Sequence, residues 1–149
     1  MPTPCRRHRP TDVLPSYLLC PDDALDLLWA IEAEHPDSIH IVLVVDRARR
    51  GVLAMPVTAD GADVERPIGP VADVLMKSLA GNPDGPMGLV LCSLRPGQGV
   101  EAGPADIETW DRLRARCRDA EIDLLDWFLF DRPYSTSMAE TQGYGWPQP

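Results

Sequence analysis

The run Met87-Gly88-Leu89-Val90-Leu91-Cys92, followed by Ser93-Leu94-Arg95-Pro96-Gly97-Gln98-Gly99-Val100-Glu101-Ala102-Gly103-Pro104-Ala105-Asp106, decides how this chain is read. The apolar run is short, which favours a buried strand over a helix. Pro96 and the glycines at 97, 99 and 103 interrupt regular structure, so Ser93 to Gly103 is expected to be a loop. Pro104 suits the first position of a helix, where its missing N–H costs nothing. Ile107, Trp110, Leu113, Arg114 and Cys117 then recur at helical spacing up to Asp119. Ile122 to Phe130 (I-D-L-L-D-W-F-L-F) is a second apolar strand. The unit is strand, glycine-rich loop, helix, strand.

Working outward, Pro21 to Glu34 reads as a helix with Ala24, Leu27, Leu28 and Ile31 on one face. Asp22, Asp23 and Asp26 lie near its N-terminus, where the helix dipole favours acids, and His35-Pro36 ends it. Ser38 to Asp46 is apolar on both faces and predicts a central strand. Arg47 to Gly51 turns the chain, and Val52 to Val57 returns as the antiparallel partner, with Pro56 pointing to a sheet edge or a strand end. A polar loop (Thr58 to Pro67), a second helix (Gly69 to Leu79) and a turn cluster (Ala80 to Pro86) lead back to Met87. The order αββαβαβ predicts an α/β fold, a central sheet flanked by helices. Residues 1–20 are expected to form a flexible arm, 21–143 one domain, and 144–149 a tail, with irregular structure from Asp131 onward.

The totals restrict the functional classes. A chain of 149 residues can bury roughly two thirds of its unfolded surface as one domain. No apolar run approaches the roughly 20 residues that span a bilayer. The basic start (M-P-T-P-C-R-R-H-R-P) lacks the apolar core of a secretory signal. The net charge of −9 opposes phosphate binding, so nucleic acid is a disfavoured partner. The clusters Arg6–Arg9, Arg47–Arg50 and Arg112/Arg114/Arg116/Arg118 read as solvated faces and turn charges. The cysteines Cys5, Cys20, Cys92 and Cys117 show no C-x-x-C spacing. Cys92 and Cys117 fall in apolar patterns, as small core residues of a reducing, cytoplasmic compartment do.

Strand, loop and helix together resemble the site segment of RadC-like proteins, a branch of the JAMM/MPN metallohydrolase superfamily, whose segment runs roughly H-N-H-P-S-G-x-P-x-P-S-x-x-D. Pro96 and Asp106 fall in register. Leu124-Leu125-Asp126 is similar to the first three residues of the family's L-L-D-H, with Trp127 in place of His. Tyr134-Ser135 resembles its Y-S, and Ile41 to Asp46 its early strand. The resemblance covers about Pro21 to Gly143. It implies a three-layer, cytidine-deaminase-like arrangement around a mixed, mainly antiparallel sheet. It also implies an ancestral zinc site, held by two His and an Asp, with an early Glu as base.

The residues at those positions here are Ser93 and Arg95 for the two His, Asp106 for the Asp, and Ser38 for the Glu. One carboxylate cannot hold a catalytic zinc, and Arg95 adds a permanent positive charge. The expectation is a metal-free remnant site (Ser38, Ser93, Arg95, Asp106) with no cofactor and no catalytic residue, in a protein-binding or scaffold module. Another protein is the expected partner, with a second copy of the chain as a further candidate. At about 100° per helical residue, Asp106 lies about 40° from Trp110 and about 20° from Cys117, on the inward stripe. A buried carboxylate needs a partner, and Arg95 is the candidate; the alternative is a solvated acid at the helix end. A rebuilt hydrolase, acting on peptide or isopeptide bonds, would use Cys92 or Ser93 as nucleophile and His40 as base. A DNA-associated module is the remaining alternative.

Overall fold

β4 (Pro86–Leu94) and β5 (Asp123–Asp131) run parallel at the heart of a six-stranded sheet, and every other pairing is antiparallel. The computed structural model describes residues 5–8, 13–57 and 86–146. The sheet comprises β1 (Cys5–Arg7), β2 (His40–Asp46), β3 (Gly51–Val57), β4, β5 and β6 (Tyr134–Ser137), in the order β1-β6-β5-β4-β2-β3. Among the described residues three helices accompany it: α1 (Pro21–Glu34), α2 (Pro104–Asp119) and the short α3 (Met138–Thr141). The expected polar loop over 58–67, the helix over 69–79 and the turn cluster that follows lie outside the described residues.

Each sheet face carries its own core. Ala24, Leu25, Leu28 and Trp29 of α1 pack on Ile41, Leu43, Val45, Val90, Cys92, Phe128 and Phe130. Trp110, Leu113 and Cys117 of α2, with Met138 and Ala139 of α3, cover Val42, Val44, Leu89, Leu91, Trp127 and Leu129. The alternation along β2 and β4 is the period-two rule of a strand buried on both faces. This is a three-layer α/β arrangement with a mostly antiparallel sheet. Along β5 the alternation breaks once. Leu89 pairs with Leu124 but Val90 pairs with Asp126, so Leu125 is an extra, bulged residue. Leu125 joins the α1 side while Trp127, two residues on, joins the α2 side.

Pro56 lies on β3, the outermost strand beside β2, as its missing donor requires. The arginine-rich turn after β2 is held by Asp46, whose carboxylate accepts from the backbone N–H (2.9 Å) and Nε (3.0 Å) of Arg50.

Two expectations are corrected. Part of the segment read as a flexible arm belongs to the sheet, since Cys5–Arg7 pairs with Tyr134–Thr136 at the opposite edge. The stretch after Asp131, read as irregular, forms β6 and α3. Both segments are too short and too polar for hydrophobic periodicity to reveal them. Their order comes from pairing with each other and with β5.

Candidate functional site

The glycine-rich loop leaves β4 at its C-terminal end and is held by the end of β5. Arg95 N–H donates to Phe130 O at 2.7 Å. Gly97 and Gly99 adopt positive φ (77° and 78°), and their N–H groups donate to the two oxygens of Asp131 at 3.1 and 2.8 Å. Left-handed backbone is what glycine tolerates and other residues resist. The loop is therefore organised around Asp131, a residue that the sequence pattern did not single out. A carboxylate at a strand end carries no local signal for a turn more than thirty positions earlier.

Asp106 sits at the third position of α2 and completes a reciprocal cap. Its own N–H donates to Gly103 O at 3.0 Å, and its Oδ2 accepts from Gly103 N–H at 2.9 Å. The same carboxylate is gripped by Arg95, with Nη1 donating to Oδ2 at 3.1 Å and Nη2 to Oδ1. Two parallel contacts from one guanidinium are the strongest form of this ion pair. Burial pushes the Asp106 carboxyl up, but the Arg95 guanidinium and the Gly103 N–H outweigh it and hold it below the ordinary carboxylate range. The inward, paired reading of Asp106 is the one observed. Arg95 also lies 5.8 Å from the centre of the Trp127 ring, within reach of a cation–π contact.

Beneath this pair is a second cluster. His40 and Ser93 face each other across β2 and β4. His40 Nδ1 is 2.9 Å from Ser93 Oγ, and the Trp127 indole N–H donates to the same oxygen at 2.9 Å. Ser93 is 4% and His40 8% exposed. Three positions in one layer (His40, Ser93, Trp127) thus form a buried hydrogen-bonded row directly under the Arg95–Asp106 pair.

Ser38 lies ahead of β2 rather than within it, buried, with its hydroxyl lacking a hydrogen-bond partner. It lines a cavity of about 240 Å³ that also meets Arg95, Trp29, Phe130 and Arg132. The structure thus brings Ser38, Ser93, Arg95 and Asp106 to one end of the sheet, with His40 behind them. Cys92 is corrected. It points to the α1 side, away from Ser93, and full burial pushes its thiol well above the ordinary value. A thiol in that state is a core residue, not a nucleophile at the loop mouth.

The donor set does not fit a zinc ion. Serine, arginine and one carboxylate whose two oxygens are already engaged offer no tetrahedral set of N, S and O ligands. Among the described residues, no group of three or more His, Cys, Asp and Glu is placed to hold a metal.

A third constellation, unforeseen from composition, is built on Asp126. This residue is fully buried in β5. It accepts from Trp127 N–H (2.8 Å), Ala139 N–H (3.0 Å), Ser137 Oγ (2.5 Å) and the Trp146 indole N–H (3.0 Å). Burial pushes its carboxyl up to about 6, against the pull of those four donors. It fastens α3 and the tail to the sheet.

No protein-family model matches the chain, and no curated protein matches it in sequence.

Proposed function

We propose that this chain is a non-catalytic, metal-free relative of the RadC-like JAMM/MPN proteins and serves as a protein-binding or scaffold module in the cytoplasm. The observation that carries this reading is the two-point grip of Arg95 on Asp106. In the register of the resemblance, the guanidinium occupies a ligand position and neutralises the carboxylate that a metal would otherwise neutralise. The scaffold keeps its electrostatic balance at the loop mouth without an ion. The ordered loop and the cavity lined by Ser38, Trp29 and Phe130 then offer a fixed surface for a partner protein. The free thiols of Cys5, Cys20, Cys92 and Cys117 accord with a reducing compartment. Among the described residues, no helix is long and apolar enough to cross a membrane.

Metal analysis after incubation with zinc, joined to co-purification from the native cell, tests the proposal. The protein should carry no stoichiometric zinc, and Arg95→Ala should lose partners that the wild type retains. One equivalent of zinc lost on Asp106→Ala, or a partner list unchanged by Arg95→Ala, would refute it.

The 2.9 Å contact between His40 and Ser93 favours a second reading, a serine hydrolase rebuilt in the same place. Ser93 would be the nucleophile and His40 the base. Its near-complete burial and the Trp127 bond to the same oxygen oppose this reading. A fluorophosphonate probe that labels the wild type but not Ser93→Ala would establish it.

A further inference from the structure

A separate cavity of about 370 Å³ opens between β1 and the first half of α1, on the far side of the sheet from α2. Its floor is a cross-strand pair. Arg6 of β1 lies opposite Ser135 of β6, so both side chains share one face. Its wall is Trp29, which stacks on Phe130 with ring centres 4.0 Å apart. His8 lies against the same indole at 4.8 Å and is tied down by its N–H to Pro133 O at 2.6 Å. Asp22 and Asp26, one helical turn apart on α1, supply carboxylates.

Two polar atoms beside this cavity are unspent. Ser135 is 1% exposed, and its hydroxyl has no hydrogen-bond partner. Arg6 is fixed by Nε to Asp22 (2.9 Å) and by Nη2 to Glu140 (2.5 Å), which leaves Nη1 buried and unpartnered. Buried donors without acceptors are uncommon in folded proteins and call for an explanation. Both would be satisfied by a carbonyl oxygen. The charge around them selects its neighbour. Arg6 is already shared between Asp22 and Glu140, and Arg7 and His8 also line the cavity, but no ion pair engages Asp26 among the described residues, so its carboxylate is the group left to receive an ammonium. Burial, Asp22 and Asp23 push the Asp26 carboxyl above its ordinary value, a state that a nearby cation would relieve.

We propose that this cavity binds a protonated α-amino group adjacent to a carbonyl, as in an amino-acid amide or the free N-terminus of a peptide. The ammonium pairs with Asp26 and Asp22. The carbonyl accepts from Ser135 and Arg6, and the side chain lies against Trp29. The cavity volume is at the lower end of the range for small-molecule sites, which suits one residue rather than a long segment.

The test is titration of the full chain with leucinamide while following the Trp29 indole resonance by NMR. A saturable shift is expected. N-acetyl-leucinamide, which lacks the charge, should give none, and free leucine should bind more weakly. Asp26→Asn and Ser135→Ala should each weaken leucinamide by about five- to tenfold, the usual effect of losing one hydrogen bond to a charged or buried group. Ser135→Ala should melt no lower than the wild type, since its hydroxyl has no partner to lose; a purely structural serine would behave oppositely. Leucyl-glycinamide separates the sources. Tighter binding than leucinamide identifies a peptide terminus and equal binding a free amine, and either supports the site. Absence of a saturable shift, equal binding of the acetylated probe, or undiminished binding in both variants would overturn it.

Discussion

Asp106 and Asp126 are both carboxylates withdrawn from bulk water, and the protein stabilises them in opposite ways. Asp106, at the mouth of the loop, is held by a guanidinium and by its own helix N-terminus, which keep its carboxyl below the ordinary range. Asp126, in the core, is bonded by uncharged donors, and burial brings its carboxyl up to about 6. A fixed cation makes the first site insensitive to pH across the neutral range. Neutral donors make the second a group that titrates near neutrality. The lesson is that a carboxylate's partner, more than its depth, decides whether it is a permanent charge.

The largest effect is expected at Asp126. Asp126→Ala strands four donors in the core, and its cost should be at least about 3 kcal/mol, since each unsatisfied buried group costs about 1–3 kcal/mol. For a chain of this size that lowers the melting temperature by roughly 6–12 °C. Asp126→Asn, which keeps the shape and one acceptor oxygen, should lose less. A variant Asp126→Ala that melts with the wild type would show that the cluster contributes little.

Protonation gives the next largest effect, with opposite signs at the two sites. Asp126 has a raised folded pKa, so its contribution to stability is fully present below the ordinary 3.8 and is lost as pH rises through about 6. That interval corresponds to roughly 3 kcal/mol. Asp106 has a lowered pKa, so its contribution is present above the ordinary range and is lost as pH falls through its folded value. Urea unfolding measured from pH 3 to 7 should therefore show a component falling between about pH 4 and 6 that Asp126→Asn abolishes and Asp106→Asn leaves in place.

The smallest effect concerns the ion pair. Arg95→Ala, Asp106→Ala and the double variant should form a cycle with a coupling of about 1–2 kcal/mol, above that of a surface salt bridge because the contact is two-pronged and half-buried. Additive effects would show two independent residues and would remove the basis for the metal-free reading.

Much of the fold was legible because apolar spacing is local. α1 and α2 begin and end where the proline starts and apolar stripes placed them, and β2 and β4 carry the double-sided burial that their runs of branched residues imply. Asp106 declared its inward direction through its angle to Trp110 and Cys117, and Arg95 was the cation within reach. What stayed hidden depends on distant pairing. Cys5–Arg7 is a strand only because Tyr134–Thr136 lies beside it. Asp131 orders Gly97 and Gly99 across more than thirty residues. The side to which Cys92 points follows from its alternation with Ser93, which period-two reasoning could have supplied.

The single extra residue at Leu125 acts on β5 as a frameshift acts on a message. Upstream of it, β5 is set in one phase against β4; downstream, Trp127 and Leu129 turn to one layer and Phe128 and Phe130 to the other. Excise that one position and each of those four side chains would swap layers. The indole would leave Ser93, and both cores would be mispacked together. One leucine thus keeps two otherwise separate interiors in step.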